Sequence, residues 1–216
     1  MLRIYGSVCA GLLLSLAQPA LAQEMGEPQM CTYNSYAWNV RSKSAVNRRF
    51  VEKPYVDVTP LERDARTGCS VCLEDQRKIT LRNGIQFQMC AVLAGRAENT
   101  LNRLIAQGET IQSVTGYRVG LTRGLLDAQG NRTGYSNHSF GIALDINADM
   151  NGLYENCFQF SRACRLRKGG RWQPNRPGGL HANSPTVRAL KNIGYKWGGE
   201  IQGRQKDFMH FSPSGY

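Results

Sequence analysis

Histidine, acidic side chains and long apolar runs are all scarce in this chain. Only 3 of its 216 residues are histidine, and 16 acidic side chains stand against 27 Lys and Arg, for a formal charge of +11. With so few imidazoles, any histidine-based chemistry must use His138, His181 or His210. The longest apolar run, Ile4–Leu16, is shorter than the ~20 residues that cross a bilayer, so no membrane span is expected. Internal repeats and a βαβ rhythm are also missing, and the second absence favours an α+β domain. Cys-x-x-Cys occurs once, at Cys69 and Cys72, a poor fit to a zinc knuckle or a thioredoxin-like pair. What is present fits a folded domain: 41% of residues are hydrophobic, too many for a disordered chain, and 23 glycines favour many turns.

Arg3, the apolar run and Pro19 before Ala20-Leu21-Ala22 read as a cleaved secretory signal over residues 1–22. The expected location is periplasmic or secreted. Cys9 falls inside the signal, leaving Cys31, Cys69, Cys72, Cys90, Cys157 and Cys164. An even set in an oxidising compartment implies up to three disulfides with several pairings open; Cys157 with Cys164 is the expected local one. The basic stretch Arg162, Arg165, Arg167, Lys168 and Arg171 is either a solvated loop or a contact for an anionic wall polymer. No nucleic-acid motif accompanies it, so nucleic acid is not an expected partner.

Residues 23–78, interrupted by Pro28, Pro54 and Pro60, read as an irregular arm stapled by cysteines onto a domain spanning 79–216. Ile79–Cys90 alternates around Asn83-Gly84, predicting a hairpin. Val92, Leu93, Ala97, Leu101, Leu104 and Ile105 recur at helical spacing, predicting a helix from Ala91 to Gln107 closed by Gly108. Strands are expected over Ile111–Val119, Gly141–Ile146 and Asp207–Phe211, and a short helix over Thr186–Ile193 after Ser184-Pro185. The fold expected is α+β: a small, mostly antiparallel sheet flanked by helices, with the site at the sheet and a disulfide-stapled N-terminal arm.

His138 and Asp145 stand seven apart, so a straight strand would point them to opposite faces. A bend at Gly141 lets them converge, and a distant third ligand would complete an open zinc site. Ser136-x-His138-x-x-Gly141-x-Ala143-x-Asp145, followed by Asp207-x-x-His210-Phe211, resembles the VanY-type D-alanyl-D-alanine carboxypeptidases. These belong to a wider group of zinc metallopeptidases that cut bacterial cell-wall peptides. Gly116-Tyr117-Arg118 and Gly194-Tyr195-x-Trp197-Gly198-Gly199 extend the likeness over about residues 91–211. The cysteine-bearing arm and an insert around residues 150–180 lie outside it.

The resemblance implies one zinc per chain on His138, Asp145 and His210, with Asp207 as general base and Arg118 stabilising the oxyanion. It implies a substrate or supporting contact for Ser136 and a cleft wall for Trp197. His181 matches no ligand position and reads as a loop histidine. The activity implied is hydrolysis of peptidoglycan stem peptides at D-Ala-D-Ala. The alternatives are the L-Ala-D-Glu cut of lysin-like relatives and a non-catalytic wall-binding module that keeps the fold.

Overall fold

The computed structural model describes Met1 and residues 28–215; the rest of the expected signal segment, Cys9 included, lies outside the described residues. In chain order the elements are β1 (Met30–Asn39), β2 (Ser44–Pro54), β3 (Gln76–Thr80), β4 (Gln86–Cys90), α1 (Ala91–Ala106), β5 (Val114–Thr115), β6 (Leu121–Leu126) and β7 (Arg132–Tyr135). There follow β8 (Leu144–Ile146), β9 (Leu153–Glu155), β10 (Arg165–Lys168), α2 (Pro185–Asn192), β11 (Lys196–Trp197), β12 (Gln205–Asp207) and β13 (His210–Ser212). The class is α+β, but the one small sheet expected is replaced by several: β2-β1-β6-β7, β10-β9-β12, β11-β13-β8-β5 and the pair β3-β4.

The N-terminal segment corrects the sequence reading most. It is not irregular: β1 and β2 form a long antiparallel hairpin, bulged between Ser35 and Ala37. Along β1, Cys31, Tyr33, Ser35 and Ala37 are buried while the residues between them are more exposed, as a strand with one solvated face requires. The other side of β1 pairs with β6, so the arm shares a sheet with the domain that follows. Cys31–Cys72 and Cys69–Cys90 tie the same region together, sending the two Cys-x-x-Cys sulfurs to different partners.

Elsewhere local chemistry and structure agree more closely. The β3–β4 hairpin starts at Gln76 and turns at Gly84, whose φ of +87° a side chain would disfavour. Helix α1 buries Ala94, Ala97, Leu101 and Leu104, a stripe at i, i+3, i+7 and i+10. Its end is closed by Gly108 N–H to the Ile105 carbonyl and Glu109 N–H to the Leu104 carbonyl. Helix α2 opens on Ser184-Pro185, with proline where a missing N–H costs nothing.

Three expected strands are shorter or divided. Of Ile111–Val119 only Val114–Thr115 is strand, because the Asn147 side-chain oxygen accepts the Gln112 and Ser113 N–H groups. Only Leu144–Ile146 of Gly141–Ile146 is strand, since Gly141 closes a 3-10 turn. Asp207–Phe211 divides between β12 and β13, which belong to different sheets. The main core packs Ile79, Leu81, Met89 and the α1 stripe against Leu144, Ile146, Leu190, Phe208 and Phe211. A smaller core under the arm gathers Cys31, Tyr33, Tyr55, Val71, Cys72 and Val119. Among the described residues no helix is long and apolar enough to cross a membrane.

Candidate metal centre and active site

Asp145 is the middle residue of β8, between two partner strands. It registers against His210 of β13 on one side and Thr115 of β5 on the other. His138 arrives by another route, on a 3-10 turn over Asn137–Phe140. Ser139 Oγ holds that turn: it accepts the Ser136 and Gly120 N–H groups and donates to the Gly120 carbonyl. Gly141 then takes the left-handed conformation at φ +65° and reverses the chain. That reversal lets His138 and Asp145 meet. A Cβ at Gly141 would also collide with Gln76 Oε1 and the Cys90 amide nitrogen.

The three side chains converge on one point. His138 Nε2 lies 3.0 Å and His210 Nδ1 3.1 Å from the same oxygen, Asp145 Oδ1. The rings stand 5.2 Å apart between centroids, and all three residues are buried. His138 Nδ1 is 2.7 Å from the Gly116 carbonyl, which as acceptor fixes the tautomer that leaves Nε2 as a lone-pair donor. The other Asp145 oxygen faces cations: Arg118 Nη2 at 3.2 Å and Lys168 Nζ at 3.8 Å from Oδ2. Burial alone would raise the Asp145 pKa, but charge and hydrogen bonds from His138, then His210, hold it well below the usual carboxylate range.

Donor chemistry and geometry both suit a metal. One ligand atom from each of His138, Asp145 and His210 lies within 4.8 Å of the others. Hydrogen bonding does not account for the cluster, since His210 Nε2 is buried with no partner while two imidazoles crowd one carboxylate oxygen. Two neutral imidazoles and a carboxylate are the donor set of an open, catalytic zinc site.

Asp207, at the end of β12, has its Oδ1 shut from solvent without a hydrogen-bond partner. Burial pushes its pKa up to about 6; Asp145 pushes the same way, against His210, Lys168 and Arg118. Arg118 reaches the site because its N–H donates to the His138 carbonyl, while its Nε is buried and unpaired. The structure therefore brings together His138, Asp145, His210, Asp207 and Arg118.

Ser136 and Trp197 are both largely shielded from solvent. Ser136 is 5% exposed and opens the His138 turn, its hydroxyl 3.2 Å from Ser139 Oγ. Trp197 is 4% exposed, and its indole N–H donates to the Phe208 carbonyl at 2.8 Å. Both shape the site from behind. His181 is on an exposed loop, away from the cluster. Lys168, read in the sequence only as part of a basic stretch, is the addition. In that stretch Arg165 and Arg167 both pair with Glu155.

A buried His-Asp-His set with a high-pKa carboxylate and a guanidinium at its rim has the chemistry of a zinc metallopeptidase. Residues 129–213 match a family model described as D-alanyl-D-alanine carboxypeptidase, and this match supports the VanY-like resemblance over that span. The matched span runs through the 150–180 insert and includes His138, Asp145, Asp207 and His210, while Arg118 lies before it. No curated protein and no solved structure matches the chain.

Proposed function

We propose that this protein is an exported zinc peptidase that hydrolyses the peptide stems of peptidoglycan, with D-Ala-D-Ala as the bond cut. The observation that carries the reading is the convergence of His138, Asp145 and His210 on one point, with Asp207 Oδ1 beside them, shut from solvent and without a hydrogen-bond partner among the described residues. His138 Nε2, Asp145 and His210 would hold the zinc, which when bound supplies a Lewis acid and lowers the pKa of water to about 7. Asp207 takes the proton of the attacking water and returns it to the leaving amine. Arg118 presents its guanidinium to the oxygen that becomes negative in the tetrahedral intermediate. Asp145 Oδ2, only 3.2 Å away, keeps that guanidinium aimed inward.

Three disulfides support residence in an oxidising compartment, in keeping with removal of residues 1–22 as a signal. Residues 23–78 serve as an arm that braces the peptidase domain, 79–216. Cys69–Cys90 anchors Cys90, whose N–H donates to the Gly141 carbonyl in the turn behind His138. The basic face over Arg162–Arg171 suits an anionic wall polymer.

Mass spectrometry of purified peptidoglycan after incubation with the zinc-loaded protein tests the activity. Free D-alanine and stems shortened by one residue are expected. Whole stems released between L-Ala and D-Glu would move the protein to the endopeptidase cut. Unchanged stems would leave a wall-binding module.

A further inference from the structure

Lys168 belongs to the 150–180 segment, yet the sheet carries it to the metal centre. In the three-stranded sheet β10-β9-β12, Lys168 of β10 and Asp207 of β12 both register against Leu153 of β9. Directly opposed residues share a face, so the two side chains stand on one face, two strands apart. The lysine is held there by close backbone approach. A Cβ at Gly169 would strike the Ala148 carbonyl and, at 2.9 Å, the Met209 side chain. Gly170 leaves no room against the Asp149 carbonyl, and its N–H donates to the Ala148 carbonyl at 2.9 Å. Two consecutive glycines thus press the end of β10 onto the turn after β8 and the residue before His210.

The ammonium itself stays accessible. The Lys168 side chain is 55% exposed, and among the described residues its one ion pair is the long 3.8 Å contact to Asp145 Oδ2. That oxygen is already bonded to Arg118 Nη2 at 3.2 Å and lies in a carboxylate that is 5% exposed. The Lys168 contact is much longer than the 2.6 Å pair of Lys53 with Glu62. Lys168 instead offers a solvated positive charge, on a flexible stem, at the rim of the site and on the face of Asp207.

We propose that Lys168 is a substrate-binding residue that takes the free carboxylate borne by the residue supplying the leaving amine. Asp207 delivers its proton to that amine, so a carboxylate one carbon away from the amine nitrogen falls on the side of the site where Lys168 stands. The inference rests on the peptidase reading and narrows its substrate class. Both candidate bonds have this chemistry: the terminal D-Ala carries an α-carboxylate, and γ-linked D-Glu carries one beside the scissile nitrogen. An amidated leaving residue lacks the charge and is the disfavoured substrate.

The test compares wild type, Lys168→Met and Lys168→Arg, each zinc-loaded, on two stem peptides. One peptide ends in D-Ala-D-Ala and the other contains L-Ala-γ-D-Glu; each is made with the leaving residue as carboxylate or carboxamide. Wild type is expected to prefer the carboxylate, mainly through KM. Lys168→Met should shrink that preference about tenfold, the size of one partly solvated charged contact, and Lys168→Arg should restore most of it. The peptide that shows the effect identifies the source of the carboxylate. A preference that survives Lys168→Met, or an equal loss on carboxylate and carboxamide, overturns the assignment. Calorimetric titration with D-alanine, D-alaninamide, D-glutamate and D-isoglutamine reads the same preference without turnover. If neither peptide is cut, the peptidase reading fails, and the titration still decides whether Lys168 binds a carboxylate.

Discussion

Trp172 lies flat on Phe208, with ring centroids 3.9 Å apart and planes within 3° of parallel. Phe208 sits between Asp207 and His210 in the chain, so this stack clamps the residue on which two site groups turn. Trp172 is fixed in turn by its indole N–H to the Leu180 carbonyl at 2.7 Å. On the other flank Trp197 donates to the Phe208 carbonyl, and Phe160 meets both Trp172 and Phe208 edge-on. Trp172→Ala is expected to remove about 2–4 kcal/mol of stability and to lower kcat, because Asp207 and His210 lose a common support. Trp172→Phe should retain much of both. Urea unfolding and turnover measured on the same preparations check this; undiminished stability in Trp172→Ala would show the stack to be dispensable.

The metal ligands give the next expectation. Purified protein should hold close to one zinc per chain, and His138→Ala or His210→Ala should abolish tight binding, as each removes one of three donors. Asp145→Asn should weaken binding too, because it removes the one anionic donor of the set. Metal analysis after gel filtration reads the stoichiometry. Full occupancy in both histidine variants would exclude this cluster as the site.

Asp207→Asn is expected to keep zinc and fold but lose about 10²–10⁴ in rate, the usual range for general acid–base help. Because burial raises this carboxyl to about 6, it is a proton acceptor above that pH and is filled below it. A zinc ion beside Asp207 lowers that value, so in the zinc-loaded wild type the rate should fall on an acid limb below about 6, and that limb should vanish from the residual rate of Asp207→Asn. A pH–rate profile on the best substrate decides it. An unaltered acid limb in the variant would assign the limb to another group.

Outside the His-Asp-His cluster, Glu62 predicts an acid-sensitive arm. Burial would raise its pKa, but hydrogen bonds from Lys53, Tyr33 and Thr59 outweigh this and hold it at about 2, below the ordinary 4.5. A depressed carboxyl stabilises the fold fully above its unfolded pKa, and the contribution is lost as pH falls through the folded value. That places the loss between about pH 4.5 and 2, with a size of about 3 kcal/mol. Glu62→Gln should be less stable than wild type at pH 7, and the two should converge near pH 2. Parallel unfolding curves across this range provide the measurement.

Much of the site was legible because its motifs are local. Gly141 between His138 and Asp145 announces a reversal, and the spacing of Asp207 and His210 survives although the chain turns between two sheets there. Helix α1 and the β3–β4 hairpin were also readable, since apolar spacing and a turn glycine act within a few residues. The β1–β2 hairpin was not, because one face of β1 is largely solvated and its alternation includes buried Ser35. In β6, Leu125 and Leu126 are exposed, which hides any strand period. The break in Ile111–Val119 comes from the side chain of Asn147, more than thirty residues along the chain. Lys168 reaches the site through sheet register and the Gly169-Gly170 approach, which no spacing in the sequence reports.

The Cys157–Cys164 disulfide closes a short loop at the far end of β9 and β10. Within that loop Phe160 packs edge-on against Tyr154, Trp172 and Phe208, so the staple holds an aromatic cap over the support of the site. In the chain-entropy account a loop this short contributes about 2.5 kcal/mol, a sizeable share of the ~5–15 kcal/mol that separates folded from unfolded domains. None of the metal ligands is a cysteine, so reduction acts on the loop and not on the donors. Selective opening of this bridge, or Cys157→Ser with Cys164→Ser, should lower the melting temperature while zinc content stays near one per chain. Turnover should fall by a smaller factor than in Trp172→Ala, because the Trp172–Phe208 stack remains when Phe160 loosens. Non-reducing peptide mapping of the native protein first establishes the pairing, and free thiols at both positions would refute it. Zinc lost on mild reduction, with the fold intact, would point to thiolate ligation instead.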